Sequence, residues 1–162
     1  VPVETAEEMS KALTVRLSWS TVVIMSAAVA DFRPKHPAAQ KLKKHQLKNP
    51  VLDLEPTGDI LAELSARRTG QLLVGFAAET GDLLRHAKQK LEAKGVDLIV
   101  ANDVTTPGAG FGSDRNAATL IDRDGTISEL GLRSKRRLAD DILDASLRLL
   151  RAGARQSVTG RD

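Results

Sequence analysis

The stretch Thr21-Val22-Val23-Ile24-Met25-Ser26-Ala27-Ala28-Val29 decides the fold class of this chain. It is apolar almost throughout and partly β-branched, and polar residues do not alternate with apolar ones along it. A run of this kind is typical of a strand that is covered on both faces, as the strands of parallel sheets are. The sequence therefore predicts a parallel sheet with helices on both sides.

Two further strands of the same character follow along the chain, at residues 71–76 and 96–101. The segment between them has the apolar spacing of a helix that ends at Gly95, a residue type expected just past a helix C-terminus. A strand, a helix and a strand in this order predict a βαβ unit, whose two strands lie parallel.

The remaining elements are predicted from capping and turn residues. Two helices are predicted near the start and middle of the chain: residues 6–17 with the capping box Thr5 and Glu8, and residues 58–67 with Thr57 as the cap. A half-exposed strand is predicted over 51–55, and a hairpin of strands 117–122 and 126–130 turns at Asp124-Gly125. Ser134 is expected to cap a final helix whose one face carries Leu138, Ile142, Ala145 and Leu149. The basic, polar segment between Pro34 and Pro50 is interpreted as an excursion from the sheet. This order of elements predicts an α/β fold, a three-layer sandwich with a mostly parallel sheet.

The composition is that of one globular domain, with 162 residues, 41% of them apolar and 28% charged. We expect the domain to span residues 1–151, and residues 152–162 to form a frayed, disordered tail. The chain has no cysteine, which excludes thiol catalysis, thiolate zinc sites and disulfides. Its three histidines are too scattered to form a metal site. Because the chain starts at Val1 rather than Met, we expect it to be a piece of a longer protein.

The charge and hydropathy patterns bear on partners and location. The net charge of +3 and the isoelectric point near 9.4 suggest nucleic-acid binding, but much of the basic excess lies at the C-terminal end and the four aromatic residues are isolated along the chain. No apolar run approaches ~18 residues and no leader pattern is seen. We therefore predict no nucleic-acid partner, no membrane partner and a cytoplasmic location.

Candidate binding residues follow the predicted strands, because ligands of parallel sheets bind beyond the C-terminal strand ends. Asp31 comes just after the first strand, where its carboxylate can accept hydrogen bonds from a sugar, hold a divalent cation through water, or cap the loop. The neighbouring alanines, residues 27, 28 and 30, permit close approach of a planar ring or fit beneath a crowded helix. Phe76, at the end of the next strand, can pack on a base or ribose or belong to the core.

Two groups of lysines are candidates for binding an anion. Lys41-Leu42-Lys43-Lys44 places three ammonium groups in four residues, a pattern that suits a phosphate chain and equally a solvated surface. Lys90 and Lys94 flank the apolar stripe of their helix, formed by Leu83, Leu84, Ala87 and Leu91, so they point at an anionic ligand or extend along the packed surface to solvent. The helix that begins at Gly58 presents N–H groups at its N-terminus, where phosphates bind.

The glycines at residues 107–112, Pro-Gly-Ala-Gly-Phe-Gly, do not match the spacing of the dinucleotide-binding motif, and no helix follows them. We predict a mobile flap over the strand ends instead. The chain also lacks the sequences GxxxxGK[ST], GxSxG and HExxH. P-loop kinases, α/β-hydrolases and zincins are therefore unsupported.

Five motifs, taken in order, resemble phosphopantothenoylcysteine synthetase, the C-terminal half of a bifunctional bacterial enzyme of coenzyme A biosynthesis whose N-terminal half is a flavin-dependent decarboxylase. The motifs are Ala-Ala-Val-Ala-Asp-Phe-Arg-Pro at 27–34, Lys-Leu-Lys-Lys at 41–44, Gly-Asp-Ile-Leu at 58–61, Gly-Phe-Ala-Ala-Glu-Thr at 75–80 and Ala-Asn-Asp-Val at 101–104. The resemblance covers residues 3–150 and includes Lys90, Lys94, Gly110-Phe111, Asn116 and Ser134-Lys135.

The resemblance implies a Rossmann-like fold and a ligase that joins 4′-phosphopantothenate to L-cysteine with CTP and Mg²⁺. In that scheme the pantothenate carboxylate attacks the α-phosphate of CTP, and the cysteine amine then attacks the acyl-cytidylate. A homodimer is implied, or a higher oligomer when the decarboxylase is fused, with the excursion after Pro34 as a dimerisation flap. FMN would belong only to a decarboxylase domain, which this chain does not contain.

The resemblance also implies roles for individual residues. Lys41 is the expected catalytic cation, acting from the flap of the neighbouring subunit. Ala28 and Asn102 are expected to bind the acyl substrate, and Asp31 to hold the magnesium ion through water. The expected nucleotide contacts are Met25, Ser26, Ala27, Asp31, Lys41, Gly58, Asp59, Ile60, Leu61, Phe76, Lys90 and Lys94.

The chain departs from the family's pattern at its start. The family's domain begins with a glycine-rich strand and turn and with a Ser-Asn…Ser-Ser-Gly segment whose Asn binds the acyl-cytidylate, and neither occurs in these 162 residues. We therefore expect this chain alone to lack a central strand and to be inactive as a ligase. Two alternatives stay open: a nucleotide-, NAD- or flavin-binding module without ligase activity, and a structural dimerisation fragment that binds no nucleotide.

Overall fold

A computed structural model describes residues 1–43, 50–79, 83–103, 105–109 and 112–159 of the chain. These residues form four helices and seven strands. In chain order the elements are α1 (Ala6–Leu17), β1 (Val22–Met25), β2 (Phe32–Pro34), β3 (Leu54–Pro56), α2 (Ile60–Arg67), β4 (Leu72–Glu79), α3 (Leu83–Lys94), β5 (Leu98–Asp103), β6 (Arg115–Asp122), β7 (Ile127–Ser134) and α4 (Lys135–Thr159). Within these ranges, no helix is both long enough and apolar enough to cross a membrane.

The main sheet has five strands in the order β1-β4-β5-β6-β7. The pairs β1–β4 and β4–β5 are parallel, whereas β5–β6 and β6–β7 are antiparallel, so four of the five strands run in the same direction. The predicted α/β fold with a mostly parallel sheet is confirmed. Strands β1, β4 and β5 end side by side, and we call this side of the sheet the C-terminal edge.

Helices cover the sheet on both faces, which confirms the three layers. Helices α1, α2 and α3 pack on one face around buried residues that include Leu64, Leu73 and Ile99. Helix α4 covers the other face through its predicted stripe of Leu138, Ile142, Ala145 and Leu149, all of which are buried. The side chains of β4 and β5 alternate between the two cores, so both strands are buried on each face.

Gly75 allows α2 to lie close to the sheet. A Cβ at this position would lie 2.8 Å from Cδ2 of Leu61 and 3.0 Å from Cδ1 of Ile99, and both of these side chains are buried. Glycine at the centre of β4 therefore lets Leu61 pack directly on the strand. This contact places the N-terminus of α2 at the C-terminal edge.

Two of the three helix caps predicted from the sequence are confirmed. Thr5 and Glu8 form the predicted capping box, in which Oγ1 of Thr5 accepts from the Glu8 N–H at 3.1 Å, and Ser134 accepts from the Arg137 N–H at 3.2 Å. The predicted cap of α2 was wrong, because the helix begins at Ile60 and Asp59 caps it. Thr57 instead donates its hydroxyl to the carbonyl of Ala30 at 2.5 Å.

The predicted first strand was too long. β1 ends at Met25, and residues 26–30 form a loop. The next residue, Asp31, accepts a hydrogen bond at its carbonyl from the Thr57 N–H at 2.9 Å. The chain then enters a separate two-stranded antiparallel sheet of β2 and β3, with Arg33 opposite Glu55. The predicted strand over 51–55 is thus found as Leu54–Pro56. The predicted excursion between Pro34 and Pro50 links β2 to β3, and residues 44–49 of it lie outside the described residues. Its use in dimerisation stays a prediction.

Two further expectations about helices were wrong. Leu84, expected on the packed stripe of α3, is 38% exposed, because the packed face follows Leu83, Ala87 and Leu91 at intervals of four residues. Helix α4 continues to Thr159, whereas we expected it to end near residue 151. The added residues include alanine, arginine and glutamine, which favour helices. The domain boundary at residue 151 stays a prediction.

Candidate functional site

A cavity of about 300 Å³ opens at the C-terminal edge of the sheet. Its size is at the lower end of small-molecule sites in proteins. The walls come from the end of β1 and the loop after it, the segment that leads into α2, strand β4 and the flank of α3. The lining residues are Met25, Ala27, Val29, Ala30, Asp31, Thr57, Gly58, Asp59, Ile60, Leu61, Phe76, Lys90 and Lys94.

The apolar part of the cavity is held in place by the core. Ile60 and Leu61, in the first turn of α2, are buried against the sheet. Met25 at the end of β1 and Phe76 within the neighbouring strand β4 are half-buried. Thr57 fixes the opposite wall, because its hydroxyl and its backbone N–H both bind the loop after β1. These contacts give the cavity a rigid floor, on which a planar ring can pack.

The charged part of the cavity brings α2 and α3 together. One oxygen of Asp59, Oδ1, accepts from the Ala62 N–H at 3.1 Å, and the other, Oδ2, forms an ion pair with Nζ of Lys94. Burial acts to raise the pKa of Asp59, but the hydrogen bonds from Lys94 and Ala62, with the charges of Lys94 and Lys90, hold it below its ordinary value. Asp59 is therefore charged at neutral pH, and both lysines are directed towards the cavity rather than away from it.

The structure brings together ten of the twelve residues expected at the nucleotide. Met25, Ala27, Asp31, Gly58, Asp59, Ile60, Leu61, Phe76, Lys90 and Lys94 all line the cavity. Ser26 and Lys41 do not line it, and both are exposed. Lys41 lies on the excursion after β2, beyond the cavity of its own chain.

The two expected substrate residues lie elsewhere at the C-terminal edge. Ala28 lines a larger groove of about 1000 Å³ beside the cavity, which runs between α1, the β2–β3 sheet and α2. Asn102, near the end of β5, accepts a hydrogen bond from the side-chain amide of Asn116 on β6 at 3.1 Å. The expected family residues Lys44, Thr80, Val104, Gly110 and Phe111 lie outside the described residues. Gly110 and Phe111 are the centre of the flap predicted over residues 107–112, which stays a prediction.

Three cavity residues were not predicted as contacts: Val29, Ala30 and Thr57. Val29 and Ala30 were assigned to the strand or treated only as small neighbours of Asp31. Thr57 was interpreted as a helix cap because threonine immediately before a helical pattern favours that role. Its actual partner lies 27 residues earlier in the chain, and no local pattern indicates such a contact.

The described residues do not form a preassembled metal centre, since no three His, Asp or Glu side chains among them gather closely enough to hold an ion. Asp31 and Asp59 are the two carboxylates that line the cavity. Magnesium commonly needs only one or two protein carboxylates when the phosphates of a ligand supply the other oxygens. The site therefore fits a cation that arrives with a phosphorylated ligand.

Known proteins with similar sequences include a bifunctional protein and a decarboxylase. The chain is 47% identical over 143 residues to the coenzyme A biosynthesis bifunctional protein CoaBC of Bacillus subtilis, a match that covers 88% of this chain and 35% of that protein. It is 40% identical over 151 residues to a cysteine/cysteine sulfinic acid decarboxylase from an unidentified prokaryote, covering 93% of this chain and 42% of that protein. The chain thus spans less than half the length of these relatives.

Solved structures show the same architecture. The C-terminal domain of a coenzyme A biosynthesis bifunctional protein CoaBC superposes with a TM-score of 0.75 and 39% sequence identity, covering 94% of this chain and 68% of that one. A Cab2 variant in complex with phosphopantothenate-cysteine has a TM-score of 0.71 at 18% identity, covering 97% of this chain and 54% of that one, a likeness of fold.

A family model supplies the most direct assignment. The model for the DNA/pantothenate metabolism flavoprotein C-terminal domain matches residues 1–149, which is nearly the whole chain. The chain therefore belongs to the family of the DNA/pantothenate metabolism flavoprotein C-terminal domain.

Proposed function

We propose that this chain is the CTP-binding part of a ligase of coenzyme A biosynthesis that joins 4′-phosphopantothenate to L-cysteine. One observation carries the proposal: ten of the residues that the resemblance assigns to the nucleotide surround a single cavity. The identity to CoaBC proteins points to the same biosynthetic route. An apolar floor beside two lysines suits a ligand that has a base at one end and phosphates at the other.

The proposed reaction has two steps. A carboxylate oxygen of 4′-phosphopantothenate attacks the α-phosphorus of CTP, which forms an acyl-phosphate bond and releases pyrophosphate. The amine of cysteine then attacks the acyl carbon, loses a proton, and displaces CMP as the amide forms. Both steps need cations near the phosphates, because negative charge builds up on the departing groups.

The residues of this chain divide that work by position. Phe76, Ile60 and Leu61 hold the nucleoside on the floor of the cavity, and Lys90 and Lys94 neutralise its phosphates. Asp31 would hold a magnesium ion that the phosphates also bind, which lowers the negative charge that the attacking carboxylate meets.

We propose that Lys41 reaches the acyl intermediate of the neighbouring subunit in a homodimer. Lys41 does not line the cavity of its own chain, and strand β2, which precedes it, exposes the apolar side chain of Phe32 to 59%. Leu42 and Leu54 are exposed on the same excursion. A second copy that covers these side chains brings a basic segment with it, and this supports an active site shared between subunits.

Calorimetric titration of CTP with Mg²⁺ tests the binding site. The chain should bind CTP more tightly than ATP or NAD, and Asp31→Ala should weaken CTP binding about tenfold, the loss of one charge-assisted contact. Asp53→Ala, which removes a carboxylate outside the cavity, is the matched control. Binding of NAD or a flavin in preference to CTP, or of no nucleotide, would overturn the proposal.

An activity assay tests how much of the reaction this chain performs alone. The Ser-Asn…Ser-Ser-Gly segment, whose Asn binds the acyl-cytidylate in the family, is not found in this sequence. The purified 162-residue chain should therefore form no phosphopantothenoylcysteine from CTP, phosphopantothenate and cysteine. Product detected by mass spectrometry above an enzyme-free blank would contradict this prediction.

A further inference from the structure

One carboxylate links the two helices that form the charged wall of the cavity. Asp59 caps α2 through Oδ1, which accepts from the Ala62 N–H at 3.1 Å, and holds Nζ of Lys94 through Oδ2. The two side chains are 43% and 31% exposed, respectively. The ion pair is therefore accessible to solvent and to a ligand, and Asp59 can release Lys94 without losing its role as a cap.

The charges that line the cavity already balance one another. Asp31 and Asp59 supply two negative charges, and Lys90 and Lys94 supply two positive ones. The charge of Lys90 also acts on the Asp59 carboxylate. A polyphosphate thus enters a cavity whose cations are already neutralised, and its oxygens seek the same ammonium hydrogens that a carboxylate accepts.

We propose that Asp59 is a built-in counter-ion that competes with ligand phosphates for Lys94. Without a ligand, the carboxylate holds Lys94 at the cavity wall. When a polyphosphate binds, Nζ of Lys94 exchanges the carboxylate oxygen for a phosphate oxygen, while Oδ1 continues to cap α2. This inference rests on the proposed function only in that a polyphosphate occupies the cavity.

The competition has a consequence for turnover. In the proposed reaction, pyrophosphate leaves after the first step, and a cavity without the Asp59 carboxylate would have two lysines against one carboxylate and would retain it more strongly. The Asp59 carboxylate offers Lys94 an alternative partner at that moment, so it lowers the affinity for the departing anion. Asp59 therefore weakens anion binding, although the cavity's task is to bind an anion.

Calorimetric titration of inorganic pyrophosphate tests the competition. Asp59→Asn removes the charge but keeps a residue type that caps helices well, so the fold should persist, which thermal unfolding checks. This variant should bind pyrophosphate about fivefold more tightly than the wild type, the effect of removing one partly exposed ion pair. The gain should disappear when the same change is made in a Lys94→Gln background.

Glu63→Gln is the matched control. It removes the same charge from the same helix, but Glu63 accepts from the hydroxyl of Ser10 and does not line the cavity. The proposal is overturned if Asp59→Asn binds pyrophosphate no more tightly than the wild type, if Glu63→Gln gains as much, if the gain survives in the Lys94→Gln background, or if no variant binds pyrophosphate.

The same titrations with CTP and ATP separate this inference from the proposed function. Pyrophosphate coupling between Asp59 and Lys94 without selectivity for CTP would support the counter-ion and contradict the ligase. Selective CTP binding that is unchanged by Asp59→Asn would support the ligase and contradict the counter-ion.

Discussion

Gly75 determines how closely α2, and with it one wall of the cavity, approaches the sheet. Gly75→Ala would place a Cβ 2.8 Å from Cδ2 of Leu61 and 3.0 Å from Cδ1 of Ile99, so at least one of these buried side chains must shift. We expect the free energy of unfolding to fall by about 1–3 kcal/mol, the usual effect of overpacking. Urea unfolding measures the loss. Gly131→Ala is the control, because no atom lies within 4 Å of the added Cβ, and equal stability of the two variants would contradict the close approach.

Asp97 is a fully buried carboxylate with three donors. Its oxygens accept from Nη1 of Arg123 at 2.6 Å, from the Leu73 N–H at 2.8 Å, and from Arg68. Asp97→Ala should lower the free energy of unfolding by about 3 kcal/mol, because it removes the charged acceptor of a buried N–H and of two guanidinium groups.

Arg123→Ala is the comparison for this prediction. The Arg123 side chain is 40% exposed, and Asp97 keeps Arg68 as a partner when Arg123 is removed. The loss, also measured by urea unfolding, should therefore be less than half of that for Asp97→Ala. Equal losses would show that the Arg123 contact, rather than burial of the carboxylate, dominates. Asp97 precedes β5, at the edge opposite the cavity, so neither variant should alter pyrophosphate affinity.

The turn after β5 depends on an ionised carboxylate. Asp103 accepts from the hydroxyl of Thr105 at 2.6 Å, the hydroxyl of Thr106 at 2.7 Å and the Thr105 N–H at 2.8 Å, and these hydrogen bonds hold its pKa below its ordinary 3.8. A lowered folded pKa means that the contribution to stability is complete above the unfolded pKa and is lost as the pH falls through the folded value.

Asp103→Asn tests this dependence on pH. The difference in free energy of unfolding between the wild type and this variant should be constant above about pH 5 and should shrink as the pH falls below that. Urea unfolding at a series of pH values measures it. Thr105→Val, which removes one hydroxyl donor, should reduce the part that depends on pH. A difference that stays constant down to pH 3 would rule out the ionised turn.

Elements with local signals could be predicted from the sequence, and elements closed by distant contacts could not. Helix α1 spans residues 6–17 as expected, because its capping box lies within the segment itself. The C-terminal end of β1 was predicted four residues too late, because three of the four residues after Met25 are apolar like the strand. The hydrogen bonds that hold the loop come from Thr57. The cap of α2 was misassigned for the same reason.

The candidate site shows the same division. Its residues could be named from short motifs, and the structure gathers ten of them at one cavity. The orientation of Lys90 and Lys94 was open in the sequence, since a flanking lysine can extend to solvent or face a ligand. Lys94 is oriented by its ion pair with Asp59, which lies 35 residues earlier, and spacing along one helix does not show such a contact.

At the scale of the whole molecule, the β2–β3 sheet is the part least supported by the core. A two-stranded sheet is marginally stable by itself, and Phe32 and Leu54 on its strands are exposed. Arg33 pairs with Glu55 on the other strand of this sheet at 2.7 Å, and it connects the sheet to α1 through an ion pair with Glu7 at 3.6 Å. Exposed ion pairs of this kind stabilise little, so a second copy of the chain is a better source of stability for this sheet.

The proposed sharing of the active site between two subunits makes a prediction about mixed dimers. Asp31 lines the cavity of its own chain, whereas Lys41 is proposed to come from the partner, so Asp31→Ala and Lys41→Ala should each weaken CTP binding as pure proteins. When the two variants are mixed and allowed to exchange subunits, half of the dimers are mixed. Each mixed dimer has one cavity with both residues, so about a quarter of all cavities should regain wild-type affinity.

Calorimetry with CTP would show this recovery as a second, tighter class of sites. The control is Asp31→Ala mixed with a chain that has both substitutions, which leaves every cavity defective. If Lys41 acted within its own chain, a mixed dimer would have no complete cavity, because one subunit would lack Asp31 and the other would lack Lys41. Mixtures that bind CTP as weakly as the pure variants would therefore place Lys41 at the cavity of its own subunit and remove the need for a dimer.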